Sequence, residues 1–130
     1  MFEIIISMAN VKVSKTFPSL KIVVHYVGDD EREVEKMPHG HVFLGNKRLA
    51  QISLDPPFSF FEGGDKVPTR MVRLLRNFLT DNQQYIHFVW KEATGQNDYM
   101  PELLKLSPET VESFRLRFNN DNPNHVITRV

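Results

Sequence analysis

The sequence predicts an α+β fold, in which an antiparallel sheet of four or five strands carries two or three helices on one face. Segments with strand composition fill the first half of the chain, and two of them flank a tight hairpin turn. The second half instead repeats apolar residues at helical spacing. We expect a single domain over residues 1–130, with a core at about 10–94 and a C-terminal helical extension at about 101–119.

The composition narrows the functional classes. A chain of 130 residues can bury a core without covalent staples, and 41% hydrophobic with 25% charged residues is typical of a globular domain. No cysteine is present, which excludes a disulfide framework, a zinc–cysteine site and a cysteine nucleophile. Lys+Arg and Asp+Glu both number 16, so net charge gives no overall attraction to nucleic acid. We expect a cytoplasmic protein that has no membrane partner.

The segment Pro38–Pro57 has the clearest local pattern, namely two strands joined at Gly45-Asn46. Glycine at the first central position predicts a two-residue type II′ turn. The expected opposite pairs are Leu44 with Lys47, Val42 with Leu49, and Gly40 with Gln51. Because strand side chains alternate, one face should then carry His39, His41, Phe43, Arg48, Ala50, Ile52 and Leu54.

Three further segments upstream have strand composition, and one run of charges separates them from the hairpin. The strand segments are Phe2–Ser7, Asn10–Thr16 and Leu20–Val27, and the charged run is Asp29–Lys36. We interpret the charged run as a solvated loop, with an acidic surface for a basic partner as the alternative. After Pro57 we expect a loop whose three aromatic side chains tuck over the sheet: Phe58, Phe60 and Phe61.

Helical periodicity begins at Val67 and predicts a helix to Thr80, with Pro68 near its start. A second helix is predicted over Asn82–Ala93. A third should begin at Ser107-Pro108-Glu109, where a capping side chain, a first-turn proline and an acid coincide. We expect the first two helices to bury their apolar stripes against the sheet. The following residues should then be enclosed together: Val23, Ile52, Leu74, Phe78 and Trp90.

Several short motifs follow one another in a recognisable order between Leu20 and Ala93. They are Pro38-His39-Gly40-His41-Val42, the Gly45-Asn46 turn, Ala50-Gln51-Ile52-Ser53-Leu54-Asp55, a glycine-containing loop, the Pro68 helix and Trp90-Lys91-Glu92-Ala93. This order resembles the small bacterial proteins called domain of unknown function 4160. The resemblance covers a little over half the chain, and the His-x-His core is its most specific part.

The resemblance implies a small cytoplasmic protein rather than a particular chemistry. Members of that family are often encoded beside another small protein, in arrangements that look like toxin–antitoxin or mobile-element cassettes. This chain departs from the family pattern at Gly40, where an aromatic residue is usual. It also has a longer acidic lead-in and an additional C-terminal helix.

The two histidines of the core are the candidates for chemistry. His39 and His41 should lie about 6.5–7 Å apart along one strand face, a spacing at which two imidazoles can share a metal. Asp55, His25 or His87 could supply a third ligand. We predict instead that His39 and His41 have a structural or interface role, with His41 the more enclosed. Metal binding and acid–base use in nucleic-acid cleavage remain the alternatives.

A basic stripe is the candidate binding surface. Arg70, Arg73 and Arg76 recur every third residue on the polar side of the first helix, and no aromatic residue interleaves with them in sequence. Lys47, Arg48 and Lys66 would extend the stripe if the hairpin tip lies close by. Such a surface suits an acidic protein or phosphates.

These observations lead to one function and one alternative. We predict a small non-enzymatic binding protein without a cofactor, acting through protein–protein contacts. The family resemblance implies that it is half of a toxin–antitoxin-like or phage-derived pair. Its binding residues would be Lys47, Arg48, Arg70, Arg73, Arg76 and His39. The alternative is a nucleic-acid-binding protein or a small nuclease that uses His39 and His41. The sequence does not indicate an oligomeric state.

Overall fold

The computed structural model describes residues 5–27, 38–94, 106–123 and 128–129. Within these ranges there are six strands: β1 (Ile5–Lys12), β2 (Leu20–Val27), β3 (His39–Leu44), β4 (Lys47–Ser53), β5 (Phe60–Glu62) and β6 (Thr128–Arg129). The helices are a short 3₁₀ helix (Gly64–Lys66), α1 (Thr69–Asp81), α2 (Gln83–Thr94) and α3 (Pro108–Asp121).

The strands form one antiparallel sheet in the order β5-β4-β3-β2-β1-β6. This arrangement confirms the predicted α+β class. The prediction of two separate strands before residue 17 is wrong, because Ile5–Lys12 runs as one strand opposite β2. The prediction of a loop at Phe60–Glu62 is also wrong, since these residues pair with β4 as a short edge strand.

The hairpin confirms its predicted turn but not its predicted register. Gly45 has φ +62°, as the first central residue of a type II′ turn requires, and Leu44 lies opposite Lys47. Beyond Phe43, which faces Arg48, an extra residue in β4 shifts the pairing. Val42 therefore faces Ala50 rather than Leu49, and Gly40 faces Ile52 rather than Gln51.

This bulge changes which side chains share a face. Ala50 and Ile52 turn away from the histidines and join the side of the sheet that bears Val42. His39 and His41 instead share their side with Ser53 and Gln51, which lie directly opposite them. The predicted grouping of the histidines with Ala50 and Ile52 is therefore wrong.

The core lies between one face of the sheet and the helices. Alternate residues of the four longest strands form its floor: Ala9, Val11, Leu20, Ile22, Val24, Val42, Ala50 and Ile52. The helices contribute Met71, Leu75, Leu79, Ile86, Val89 and Trp90, and Phe118 of α3 belongs to the same cluster. Burial of Trp90 and Ile52 was predicted correctly.

The predicted core nonetheless needs three corrections. Leu74 and Phe78 are only half-buried, because the buried stripe of α1 is narrower than the apolar stripe in its sequence. Val23 is buried but lies outside the cluster, since it faces His41 on the other side of the sheet. Of the three aromatic side chains after Pro57, Phe58 is buried and Phe60 half-buried, whereas Phe61 is 38% exposed.

Helix α3 begins as its sequence predicts and is tied to β1 at its end. The Ser107 hydroxyl accepts a hydrogen bond from the Thr110 backbone N–H at 3.2 Å. At the other end, the Asn122 amide accepts from the Asn10 backbone N–H at 2.6 Å and donates to the Asn10 carbonyl at 3.1 Å. On its outer edge, β1 pairs with β6 at Ile5 and Ile6. Farther along the same edge, the Asn122 amide bonds the backbone groups that a further strand would otherwise bond.

Some predictions concern segments outside the described residues. These are the charged run Asp29–Lys36 and the side chain of His25. Within the described ranges, no helix combines the length and apolar character needed to cross a bilayer.

Candidate functional site

The histidine pair occupies the first half of β3. Strand alternation places His39 and His41 on the same side, and their ring centroids lie 5.6 Å apart with the rings perpendicular. The His39 ring also lies 5.4 Å from the indole of Trp90 on α2. His39 is 4% exposed and His41 6%, so the expectation that His39 is the more accessible of the two is wrong. Neither side chain lies on the surface.

A second titratable pair connects the end of β4 to α2. Asp55 follows β4 by two residues, and its backbone N–H donates to the Ser53 hydroxyl at 3.1 Å. Oδ1 of Asp55 lies 3.4 Å from Nε2 of His87, which is 1% exposed. Burial lowers the pKa of His87 to about 4 and raises the pKa of Asp55. Loss of hydration therefore outweighs mutual attraction for both groups.

The metal-site hypothesis can be compared with this geometry. The structure contains two pairs, His39 with His41 and Asp55 with His87, each formed by residues of the types that bind metals. Among the described residues, however, no group of three histidine, aspartate or glutamate side chains is close enough to hold a metal ion. Acid–base catalysis would need a substrate to reach imidazoles that are under a tenth exposed.

The exposed side of α1 presents the predicted basic stripe, and we call Arg70, Arg73 and Arg76 the arginine face. All three side chains are exposed. In the described part of the chain, none of them forms an ion pair. The guanidinium of Arg70 lies 5.0 Å from the centroid of the Phe17 ring, and that of Arg76 lies 5.6 Å from the Phe60 ring.

Two of these arginines are therefore held in position by residues that are distant in sequence. The Nε of Arg76 additionally donates to the Phe58 carbonyl at 3.5 Å. No aromatic residue interleaves with the arginines in sequence, but in the fold they are accompanied by Phe17 from the β1–β2 connection and Phe60 from β5. No local pattern around residues 70–76 indicates either ring, so sequence reasoning missed both.

A shallow depression of about 340 Å³ lies within the arginine face, and its lining combines charged, polar and apolar side chains: Thr69, Val72, Arg73, Arg76 and Asn77. The arginine face is therefore concave as well as positively charged. A protruding partner side chain could enter it between two guanidinium groups.

The hairpin contributes less positive charge than predicted. Arg48 forms an ion pair with Glu62 on β5, so its charge is locally balanced. Arg48 and Lys66 both line a second depression of about 330 Å³, together with Glu62. Lys47 is exposed beside the turn. Neither Arg48 nor Lys66 lines the depression at Arg73.

Comparisons of the chain with protein-family models, curated proteins and solved structures found no match. The resemblance to domain of unknown function 4160 therefore stays a prediction based on the Pro-His-x-His-Val core. The fold and the two residue groups described above define an α+β domain with an exposed arginine face and a buried histidine pair.

Proposed function

We propose that this chain is a non-enzymatic binding protein, and that the arginine face holds an acidic surface of a partner protein. One observation carries the proposal: three exposed guanidinium groups share one side of α1 without an ion pair among the described residues. Structural arginines on a helix are commonly balanced by acids one turn away. Here none of the positions three or four residues from Arg70, Arg73 or Arg76 carries an acid.

The contacts of Arg70 with the Phe17 ring and of Arg76 with the Phe60 ring favour a binding role for these arginines over mere solvation of the helix. An exposed arginine loses side-chain freedom when it enters an interface, which weakens the complex. Because Phe17 and Phe60 already restrict Arg70 and Arg76, part of that loss precedes binding. Arginine is also enriched among residues whose truncation most weakens protein complexes.

Nucleic acid is the second candidate, because the same guanidinium groups could contact phosphates. Two observations favour a protein instead. The rings of Phe17 and Phe60 are covered by guanidinium groups, which leaves these faces closed to base stacking. Positive and negative residues are equal in number, and Arg48 beside the hairpin turn is paired with Glu62. The buried histidines do not favour the nuclease alternative.

The family resemblance suggests where the partner is encoded. In toxin–antitoxin-like or phage-derived arrangements, the partner is the product of the adjacent reading frame. The test is therefore co-expression of that product with the tagged wild type, followed by a binding titration of the purified proteins. We expect a complex that weakens as salt rises, because exposed charges are screened. Replacing Arg70, Arg73 and Arg76 together by Gln should weaken it about 30-fold or more.

A matched control replaces three exposed cations elsewhere, Lys15, Lys91 and Arg115, by Gln. This control carries the same change of charge and should bind the partner as the wild type does. If both triple variants lose affinity equally, net charge rather than the arginine face governs binding. A last measurement tests binding to a nucleic-acid duplex of arbitrary sequence. If the wild type binds the duplex with an affinity that falls steeply as salt rises, and only the arginine-face variant loses this binding, the partner is a nucleic acid rather than a protein.

A further inference from the structure

A third concave surface lies at the other end of α1, where the β1–β2 connection approaches the end of α3. This groove has a volume of about 530 Å³ and is lined by Lys12, Val13, Ser14, Lys15, Pro18, Phe78, Arg117 and Asp121. None of the arginine-face residues lines it. Its properties are therefore separate from those that support the proposed function.

Arg117 is the most constrained cation of the groove. Its guanidinium lies over the Tyr85 ring at 3.9 Å from the centroid, and its Nη1 donates to Oδ1 of Asn82 at 3.1 Å. The Phe78 ring lies 6.0 Å from the same group. A guanidinium has five N–H donors, and among the described residues only the bond to Asn82 engages one of them. Arg117 thus keeps donors for a further acceptor.

The charges around the groove favour an anion. Lys12, Lys15 and Arg117 are cationic, and Asp121 is the single acid in the lining. Asp121 also acts on the neighbouring phenol: burial raises the pKa of Tyr85, the negative charge of Asp121 raises it further, and Arg117 lowers it. The aspartate therefore offsets part of the positive charge, which limits the anionic charge that the groove can hold.

The apolar part of the lining indicates what accompanies the anionic group. Val13, Pro18 and the half-buried Phe78 form walls beside the cations. We propose that this groove binds a small organic anion, with its carboxylate or phosphate group on Arg117 and an apolar body against Phe78. The paired donors of a guanidinium fixed over a ring can bind two oxygens of either a carboxylate or a phosphate.

The test uses the full chain and three probes, benzoate, phenyl phosphate and inorganic phosphate, followed by amide chemical shifts. We expect at least one aryl anion to shift the resonances of Val13, Phe78 and Arg117, and to bind more tightly than inorganic phosphate. Tighter binding of benzoate would indicate a carboxylate ligand, and tighter binding of phenyl phosphate would indicate a phosphate ligand. If neither aryl anion binds more tightly than inorganic phosphate, or if no probe shifts resonances of the groove, the proposal is overturned.

Four single variants make the test specific. Arg117→Gln should weaken binding at least about tenfold, because it removes the fixed donors. Lys12→Gln should weaken it about two- to fivefold, and Asp121→Asn should strengthen it by a similar factor, since these changes alter only nearby charge. Arg115→Gln is the control on the same helix, because Arg115 is exposed and lies 3.8 Å from Glu112 outside the groove. Unchanged affinity in both Lys12→Gln and Asp121→Asn would contradict the site even if Arg117→Gln folds poorly.

Discussion

Nε2 of His87 lies 3.4 Å from Oδ1 of Asp55, yet burial disfavours the charged form of both groups. Burial lowers the pKa of His87 to about 4, so the folded protein holds a neutral imidazole at neutral pH. The contact joins α2 to the end of β4 without the full attraction of an ion pair. It therefore links the packing of the helix to the pH of the solution.

We predict that the free energy of unfolding decreases as the pH falls from about 6.5 to about 4. A histidine in the unfolded chain has a pKa near 6.5, whereas burial lowers the pKa of His87 in the folded protein to about 4. The unfolded state therefore binds more protons across this window. The loss from His87 could reach about 3 kcal/mol, because a tenfold difference in proton affinity corresponds to about 1.4 kcal/mol. Asp55 acts oppositely, since a raised pKa stabilises the fold at acid pH and offsets part of the loss.

Urea unfolding between about pH 7 and about pH 4 measures this dependence. His87→Gln removes the titrating group, so its unfolding free energy should vary less with pH than that of the wild type, whatever its stability at pH 7. Identical pH dependence in the two proteins would contradict the assignment to His87.

Replacing Gly40 by Ala should destabilise the fold by about 1–3 kcal/mol, the usual range for overpacking a core. A Cβ atom at this position would collide with Cγ2 of Ile22, which branches next to the backbone and cannot swing away. Thermal or urea unfolding measures the effect. In the double variant with Ile22→Ala, the cost of Gly40→Ala should shrink, and strictly additive costs would show that the collision is not its cause.

Replacing Asn122 by Ala should lower stability by about 1–3 kcal/mol. The change removes the bonds to both backbone groups of Asn10, and these groups lose their partner at the border of the sheet. Amide hydrogen exchange should also accelerate at Asn10. Asn120→Ala is the matched control, because Asn120 is exposed on the same final turn and should change neither quantity.

His39→Ala and His41→Ala should each reduce the free energy of unfolding by about 1–3 kcal/mol, because both rings are buried against other side chains. Elemental analysis of the untagged protein tests the metal alternative. One bound metal ion per chain, lost in both variants together, would overturn the structural role; cleavage of RNA or DNA lost in both would do the same.

Local patterns were sufficient for some features of the fold. The turn at Gly45-Asn46 depends on two adjacent residues, and the cap at Ser107 on a side chain three residues from its partner. The extra residue at Leu49 escaped prediction because regular alternation was assumed from the turn onward, although the adjacent apolar residues Leu49 and Ala50 interrupt that alternation. This one-residue shift reverses the side of every later residue in β4, so that Ile52 lies on the face opposite to the expected one.

The candidate surfaces were predicted in composition but not in detail. Spacing alone placed Arg70, Arg73 and Arg76 on one side of a helix. The rings that hold two of them come from segments far along the chain, as do Asn82 and Tyr85 beneath Arg117. Such contacts exist only once the helices and the sheet have packed together, and no single stretch of sequence encodes them.

The bond between Asn10 and Asn122 spans 112 residues, and β6 pairs with β1 from a position still later in the chain. During synthesis, β1 therefore emerges well before the partners of its outer side, because Asn122 follows Asn10 by 112 residues. Until then a strand border remains open to other chains. Pairing over such separations is also slow to form. The period between the emergence of β1 and that of Asn122 is thus the interval in which we expect a nascent chain to be most prone to aggregation.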